Sequence, residues 1–385
     1  MPRQIERTDL ASRINKALGR NPVVLLLGPR QCGKTTAARE IARTRKAEYF
    51  DLESPMDYER LRNPMTTLEP LRGLIVIDEA QLRPDLFPIL RVLADRERVP
   101  AKFLLLGSAS PDLIRGSSES LAGRVEHIPM SGFNLAEAGP ANLRTLWWRG
   151  GFPRSFLAAD DESSHQWRSD FIHTFLERDL RRFGVQVPPP AMRRLWTMLA
   201  HYHGQILNAS EIGRSLGEAH TTVKRHIDVL CGAFLVRQLQ PWFENVGKRQ
   251  YKSPKVYVRD SGLLHNLLGM QTFTALESHP KLGASWEGFA IEEILRVTGE
   301  SVTYFWGAQS GPELDLLVMR NGKRIGIEVK YADAPTVTNS MKVSRDTLGL
   351  DHLYIVHPGS KAYSLGKGVD VLPLPDLLQN LGRKR

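Results

Sequence analysis

Cysteine is scarce in this chain of 385 residues: Cys32 and Cys231 stand far apart, with no metal-ligand spacing around them. That excludes a disulfide framework and a zinc module, and it fits a reducing cytoplasm. No stretch reaches the ~18 uninterrupted apolar residues of a membrane helix, so no span is expected. The N-terminal MPRQIERTDL has no apolar run behind its basic residues and does not read as a secretory signal. Internal repeats and low-complexity tracts are missing as well. Acid is short relative to base: 42 Asp and Glu against 52 Lys and Arg leave a formal charge of +10. An excess of that size favours polyanionic partners, nucleic acid before anionic membrane, although a solvated basic surface gives the same count.

What is present is a soluble globular composition, 42% apolar and 24% charged, in a chain long enough for two or three domains. Almost wholly apolar segments at 23–27, 73–77 and 102–106 alternate with helical patterns at 34–44 and 86–95, and 48–52 reads as a further strand. Apolar strands separated by helices predict a parallel sheet covered on both faces, the α/β layer pattern. After Pro140 the rhythm turns helical, with a Gly/Pro-marked junction at 147–156, a break at VPPPA (187–191) and a linker at 269–283. The last stretch returns to α/β: a helix at 285–298, strands near 302–306, 314–319 and 324–330, a helix near 338–348 and a strand at 352–356. The division expected is an α/β nucleotide-binding domain over 1–140, a helical lid or linker over 141–190, a winged-helix-like domain over 191–270 and an α/β end domain over 271–385.

The segment GPRQCGKT at 28–35 matches G-x-x-x-x-G-K-[ST], directly after an apolar strand and directly before a helix. Gly28 and Gly33 let the backbone curl so that the N–H groups of Pro29's successors, Arg30, Gln31 and Cys32, and of Lys34, Thr35 and Thr36 turn toward phosphates. Lys34 is expected to reach the β- and γ-phosphates and the Thr35 hydroxyl to ligate magnesium. About forty residues on, LIVI at 74–77 runs into Asp78 and Glu79. Asp78 at a buried strand's end can hold magnesium through water, and Glu79 is placed to deprotonate an attacking water, which indicates ATP hydrolysis.

Residues 208–236 read as helix, turn, helix, with Ile212 and Leu216 on one inner face and Val223, Ile227 and Leu230 on the other. The second helix leads with His220, Thr221, Thr222, Lys224 and Arg225, small, polar or basic as entry into a DNA groove requires. The interval WFENVGKRQYKSP reads as a basic wing with Lys248, Arg249 and Lys252 on phosphates. A helical packing or oligomer-forming module fits the same pattern. Further on, Glu313-Leu-Asp315 opens one strand and Ile327-Glu328-Val-Lys330 closes the next, joined by the hairpin turn Asn321-Gly322. Glu328 and Lys330 share a strand face. With Asp315 beside them, and Glu287 on the preceding helix as a further ligand, the carboxylates can bind a second magnesium while Lys330 steadies water or a scissile phosphate. This order resembles the PD-(D/E)XK nuclease core, with one departure: Pro312 lies three residues before Asp315. A scaffold that grips DNA or a partner without cutting fits equally.

Together, GPRQCGKTT, a DLESP segment, LIVIDEAQ, FLLLGSAS and SLAGR resemble the prokaryotic AAA+-type ATPases that carry a C-terminal DUF4143 region, winged helix plus nuclease-like domain. The resemblance implies that Ser108 senses the γ-phosphate. It also implies that Arg124 is an arginine finger reaching a neighbour's ATP, a surface or structural arginine being the alternative. A finger in trans implies a homo-oligomer, and relatives are often hexameric rings. The expected function is an ATP-driven machine on duplex or branched DNA, of a repair or recombination type. The rivals are an ATP-dependent endonuclease and a switch ATPase that regulates a protein partner in a toxin or defence module.

Overall fold

A computed structural model describes residues 5–97, 101–108, 116–117, 119–180, 187–243, 250–309 and 311–382. Strand β1 (Val23–Gly28) is buried along its whole length, which is why it carries no polar alternation. It sits between β4 (Ala101–Ser108) and β5 (Val125–Pro129), and β3 (Gly73–Asp78) and β2 (Ala47–Asp51) extend the sheet beyond β4, all parallel in the order β2-β3-β4-β1-β5. Side chains alternate between two faces: Val24 and Leu26 join one core, Val23, Leu25 and Leu27 the other. Helices α1 (Thr8–Arg20) and α2 (Lys34–Arg43) lie on the Val24 side.

That Val24 core does not stop at the sheet. It runs on through Phe171, Phe175 and Trp196 into Ile212, Val223, Ile227 and Leu230. The helical region and the winged helix are thus packed onto the ATPase-like sheet as one apolar mass. The helix α3 (Asp161–Thr174) continues through a π turn, Phe175–Asp179. The winged helix follows as α4 (Pro189–His201), β6 (Gln205–Ile206), α5 (Ala209–Leu216), α6 (His220–Gly232), β7 (Val236–Leu239) and β8 (Lys255–Val258), with sheet order β6-β8-β7. Gly217, at φ +72°, makes the turn between α5 and α6, a conformation that glycine adopts freely.

The C-terminal sheet runs β13 (Tyr363–Gly366), β14 (Val369–Pro373), β12 (His352–His357), β11 (Lys323–Val329), β10 (Glu313–Arg320) and β9 (Thr303–Gly307) in order. Its centre is the hairpin β10 (Glu313–Arg320) and β11 (Lys323–Val329), with Asn321 and Gly322 both at positive φ as the turn requires. Helix α7 (Leu282–Thr298) covers it, and α8 (Asn339–Leu348) leads to β12 (His352–His357). A second core joins Trp147, Trp148 and Phe156 to Trp286, Phe289 and the C-terminal strands. The linker expected at 269–283 holds a helical turn instead, Phe273–Glu277, capped by Thr272 and anchored by buried Leu276. Phe273 packs edge-on against Trp147 and Trp148. Strands β5, β13 (Tyr363–Gly366) and β14 (Val369–Pro373) were not foreseen from the sequence. No helix among the described residues is long and apolar enough to cross a membrane.

Candidate functional site

The 28–35 loop springs from the end of β1. A Cβ on Gly28 would come within 2.2 Å of the Met130 carbonyl oxygen, so the loop closes against β5 only with glycine there. Gly33 turns at φ +98° into α2. Lys34 is buried, and its ammonium donates to the carbonyls of Gly28 (3.0 Å) and Pro29 (2.8 Å). The Thr35 hydroxyl donates to Asp78 Oδ2 at 2.7 Å, Tyr49 donates to the same oxygen at 2.6 Å, and the Glu79 amide donates to Oδ1 at 3.0 Å. Asp78 is therefore fixed from three sides. Thr35 and Asp78 offer adjacent oxygens, the donor type that magnesium takes.

Glu79 stands at φ +56°, with its carboxylate accepting from Gln81. Burial raises its pKa above the ordinary glutamate value; the Lys34 and Arg30 charges oppose that shift. A cleft of about 660 Å³ opens here, lined by Arg30, Gln31, Lys34, Thr36, Glu79 and Arg154. Arg154 comes from the helical turn Pro153–Phe156, in the region after the sheet. It was not anticipated, nor was Tyr49, since neither lies in a recognisable motif. Arg30 reaches out of the loop to Asp179 (2.7 Å) on the π turn and to Glu53 (3.1 Å). Ser108 on β4 is in register with Gly28, and its buried hydroxyl has no hydrogen-bond partner among the described residues. It lines a small space with Pro29, Arg30 and Asp179. Arg124 precedes β5, at the opposite end of the sheet from the loop, half-exposed and ion-paired with Asp95.

On the winged helix, His220, Thr221, Lys224 and Arg225 are exposed and Thr222 half-buried along the outer face of α6. Lys224 and Arg225 form no ion pair among the described residues. A groove of about 540 Å³ runs beside this face, lined by Asn208, Ser210, His220, Lys224 and exposed Lys252. Lys248 and Arg249 lie outside the described residues. The base of the wing is not free: the Trp242 amide donates to Phe305 O (2.7 Å) and the Tyr251 amide to Gly307 O (3.1 Å) on β9 (Thr303–Gly307).

The C-terminal hairpin brings Asp315, Glu328 and Lys330 together. Lys330 lies 2.8 Å from Glu328 and 3.9 Å from Asp315, whose Oδ2 accepts from the Val329 amide at 2.9 Å. Glu287 joins them from α7. The carboxylates expected to hold a second magnesium, Glu287, Asp315 and Glu328, instead meet an ammonium group. Lys255, from β8 of the winged helix, lies 3.6 Å from Glu287 and 3.8 Å from Asp315, and is ion-paired with Glu313. Tyr257 donates to Glu287 at 2.7 Å. Among the described residues no group of three His, Cys, Asp or Glu is arranged to hold a metal ion. Burial, reinforced by the Asp315 charge, pushes Glu287 up to about 7 and Glu328 up to about 8.

Three family models match in succession: an AAA domain over residues 20–139, a domain of unknown function (DUF8612) over 140–274, and a domain of unknown function (DUF4143) over 282–377. The chain is 51% identical over 374 residues to the uncharacterized protein Rv2008c of Mycobacterium tuberculosis, covering 97% of this chain and 85% of the relative. The figures are the same for Mb2031c of Mycobacterium bovis. The chain belongs to the prokaryotic AAA+-type P-loop ATPases with a C-terminal DUF4143 domain. In this AAA+ chain the DUF4143 match lies on the C-terminal sheet, whereas the winged-helix region, expected within it, falls in the DUF8612 match. The Walker-type ATPase of Pyrococcus abyssi is 16% identical with a TM-score of 0.48, covering 69% of this chain and 96% of that one. The RuvB Holliday junction branch migration motor of Thermotoga maritima is 14% identical with a TM-score of 0.28, covering 61% and 90%. Likenesses that distant carry no argument about activity.

Proposed function

We propose that this AAA+ ATPase turns over ATP on duplex or branched DNA, coupling hydrolysis to remodelling of the bound nucleic acid. In this reading Lys34 and the loop amides of 28–36 hold the phosphates, Thr35 and Asp78 hold magnesium, and Glu79 takes the proton of the attacking water. Ser108 reads the loop's state, and Arg154 adds a cation from the following region. Arg124, remote from its own loop, serves a neighbouring subunit's ATP, which makes the working form a homo-oligomer, a hexameric ring by family resemblance.

The observation that carries the DNA reading is the basic face of α6, where Lys224 and Arg225, beside His220 and Thr221, form no ion pair among the described residues, on a chain of charge +10. Exposed cations without internal partners attract phosphates and release counterions on contact. The core shared between winged helix and ATPase sheet supports transmission of the nucleotide state to that face. One feature favours the switch reading, with a protein partner in place of DNA: the wing's base is paired along β9. Fluorescence anisotropy with labelled duplex and four-way DNA separates the two. The expected result is binding at moderate salt, with Lys224→Ala plus Arg225→Ala lowering the log–log salt slope by about 1.8, roughly 0.9 per phosphate contact. No binding, or a slope unmoved by the double substitution, refutes the DNA reading.

A further inference from the structure

In PD-(D/E)XK enzymes, clustered carboxylates serve a divalent cation. Here the centre of that cluster is filled from another part of the chain. Lys255 is 3% exposed at its side chain, and its ammonium stands among Glu287, Glu313 and Asp315. The strand that delivers it has no slack. In β8, Lys255 is in register with Ile206 on one side and Leu239 on the other. Tyr257, two residues on and therefore on the same face, is fully buried and holds Glu287. The remaining groups are also engaged, Glu328 by Lys330 and Asp315 by the Val329 amide.

A hard divalent cation needs several oxygens converging at about 2.0–2.6 Å, and it would have to share this space with a buried ammonium. The residues do not fit the metal that the fold implies. We propose that Lys255 takes the cation's place, making the DUF4143 carboxylate centre a metal-free ionic clamp that fastens the winged-helix sheet to the C-terminal sheet and does not cut DNA. A salt-bridged lysine in a low-dielectric site is costly to remove because it leaves carboxylates uncompensated, which suits a permanent fastening. The inference is independent of whether the ATPase acts on DNA.

The test uses the full chain without nucleotide and Mn²⁺ as the probe, followed by electron paramagnetic resonance. Wild type and Asp315→Asn should take up the same amount of Mn²⁺, and labelled DNA with Mg²⁺ should remain intact with both. In Lys255→Met, the freed carboxylates should gain one Mn²⁺ per chain, and Mn²⁺ should raise its unfolding temperature while leaving that of wild type unchanged. A Mn²⁺ site in wild type that disappears in Asp315→Asn, or cleavage that requires Asp315, overturns the proposal. So does a folded Lys255→Met that gains no Mn²⁺. If Lys255→Met does not fold, the Asp315→Asn comparison decides alone.

Discussion

Replacing Arg30, Asp179 or both by alanine would cut the tie between the nucleotide loop and the region that leads to the winged helix. The pair is 2.7 Å apart, with side chains 16% and 6% exposed. A hydrogen bond between charged groups nets about 1.5–3 kcal/mol. The substitutes are weaker: Glu53 beside Arg30 is 44% exposed, and Arg178 beside Asp179 is 53% exposed, settings worth ~0.2–1 kcal/mol. A double-mutant cycle in urea unfolding, followed by tryptophan fluorescence, should therefore give a coupling energy of about 1.5–2.5 kcal/mol. A second readout is kinetic. Arg30 is one of the two cations that oppose the upward shift of Glu79. Removing it raises that pKa further, so the acid limb of kcat/KM should move to higher pH in Arg30→Ala. A coupling under ~0.5 kcal/mol, together with an unmoved acid limb, would refute the assignment of Arg30 as the link.

Glu79→Gln should keep ATP binding and slow hydrolysis by about 10²–10⁴-fold, measured by phosphate release. It should also enrich a ring visible by light scattering, and a protein that stays monomeric with ATP contradicts Arg124 as a finger in trans. Stability should depend on pH through the carboxylate cluster. With Glu287 near 7 and Glu328 near 8 in the folded state, the folded chain keeps protons that the unfolded chain loses near the ordinary glutamate pKa. Their contribution is full below about pH 4.5, the ordinary glutamate value, and is lost progressively as pH rises to 7 and 8. The unfolding temperature should fall between about pH 4.5 and 8, and Glu328→Gln should flatten that fall; an equal slope in the variant counts against the reading.

The parts of this molecule visible in its sequence are those whose chemistry is local. The 28–35 loop, Asp78 and Glu79 at a strand's end, and the Asn321-Gly322 hairpin each need a few adjacent residues of fixed type, and each stands where its pattern predicts. Strand β5 was missed because VEHIP is a partly exposed edge strand with histidine and proline in place of an apolar run. β13 has the same weakness, being a short, largely exposed edge strand, whereas β14 is short but sits inside the sheet between β13 and β12 with Val369 and Val371 buried. The links that change the functional reading join distant positions: Tyr49 to Asp78, Arg30 to Asp179, Lys255 to Glu287 and Asp315. No periodicity announces such pairs. Lys255 in particular looks like one more basic residue of a wing. Its partners show that the D…E-x-K pattern alone says where carboxylates gather, not which cation they meet.

The most direct measurement is steady-state ATP hydrolysis by the full chain with and without duplex, single-stranded and four-way DNA. Turnover should be abolished by Lys34→Ala, and it should rise several-fold with duplex or four-way DNA in wild type but not in Lys224→Ala plus Arg225→Ala. Hydrolysis that depends on Lys34 yet is unchanged by every DNA would leave a P-loop ATPase and contradict its proposed action on DNA.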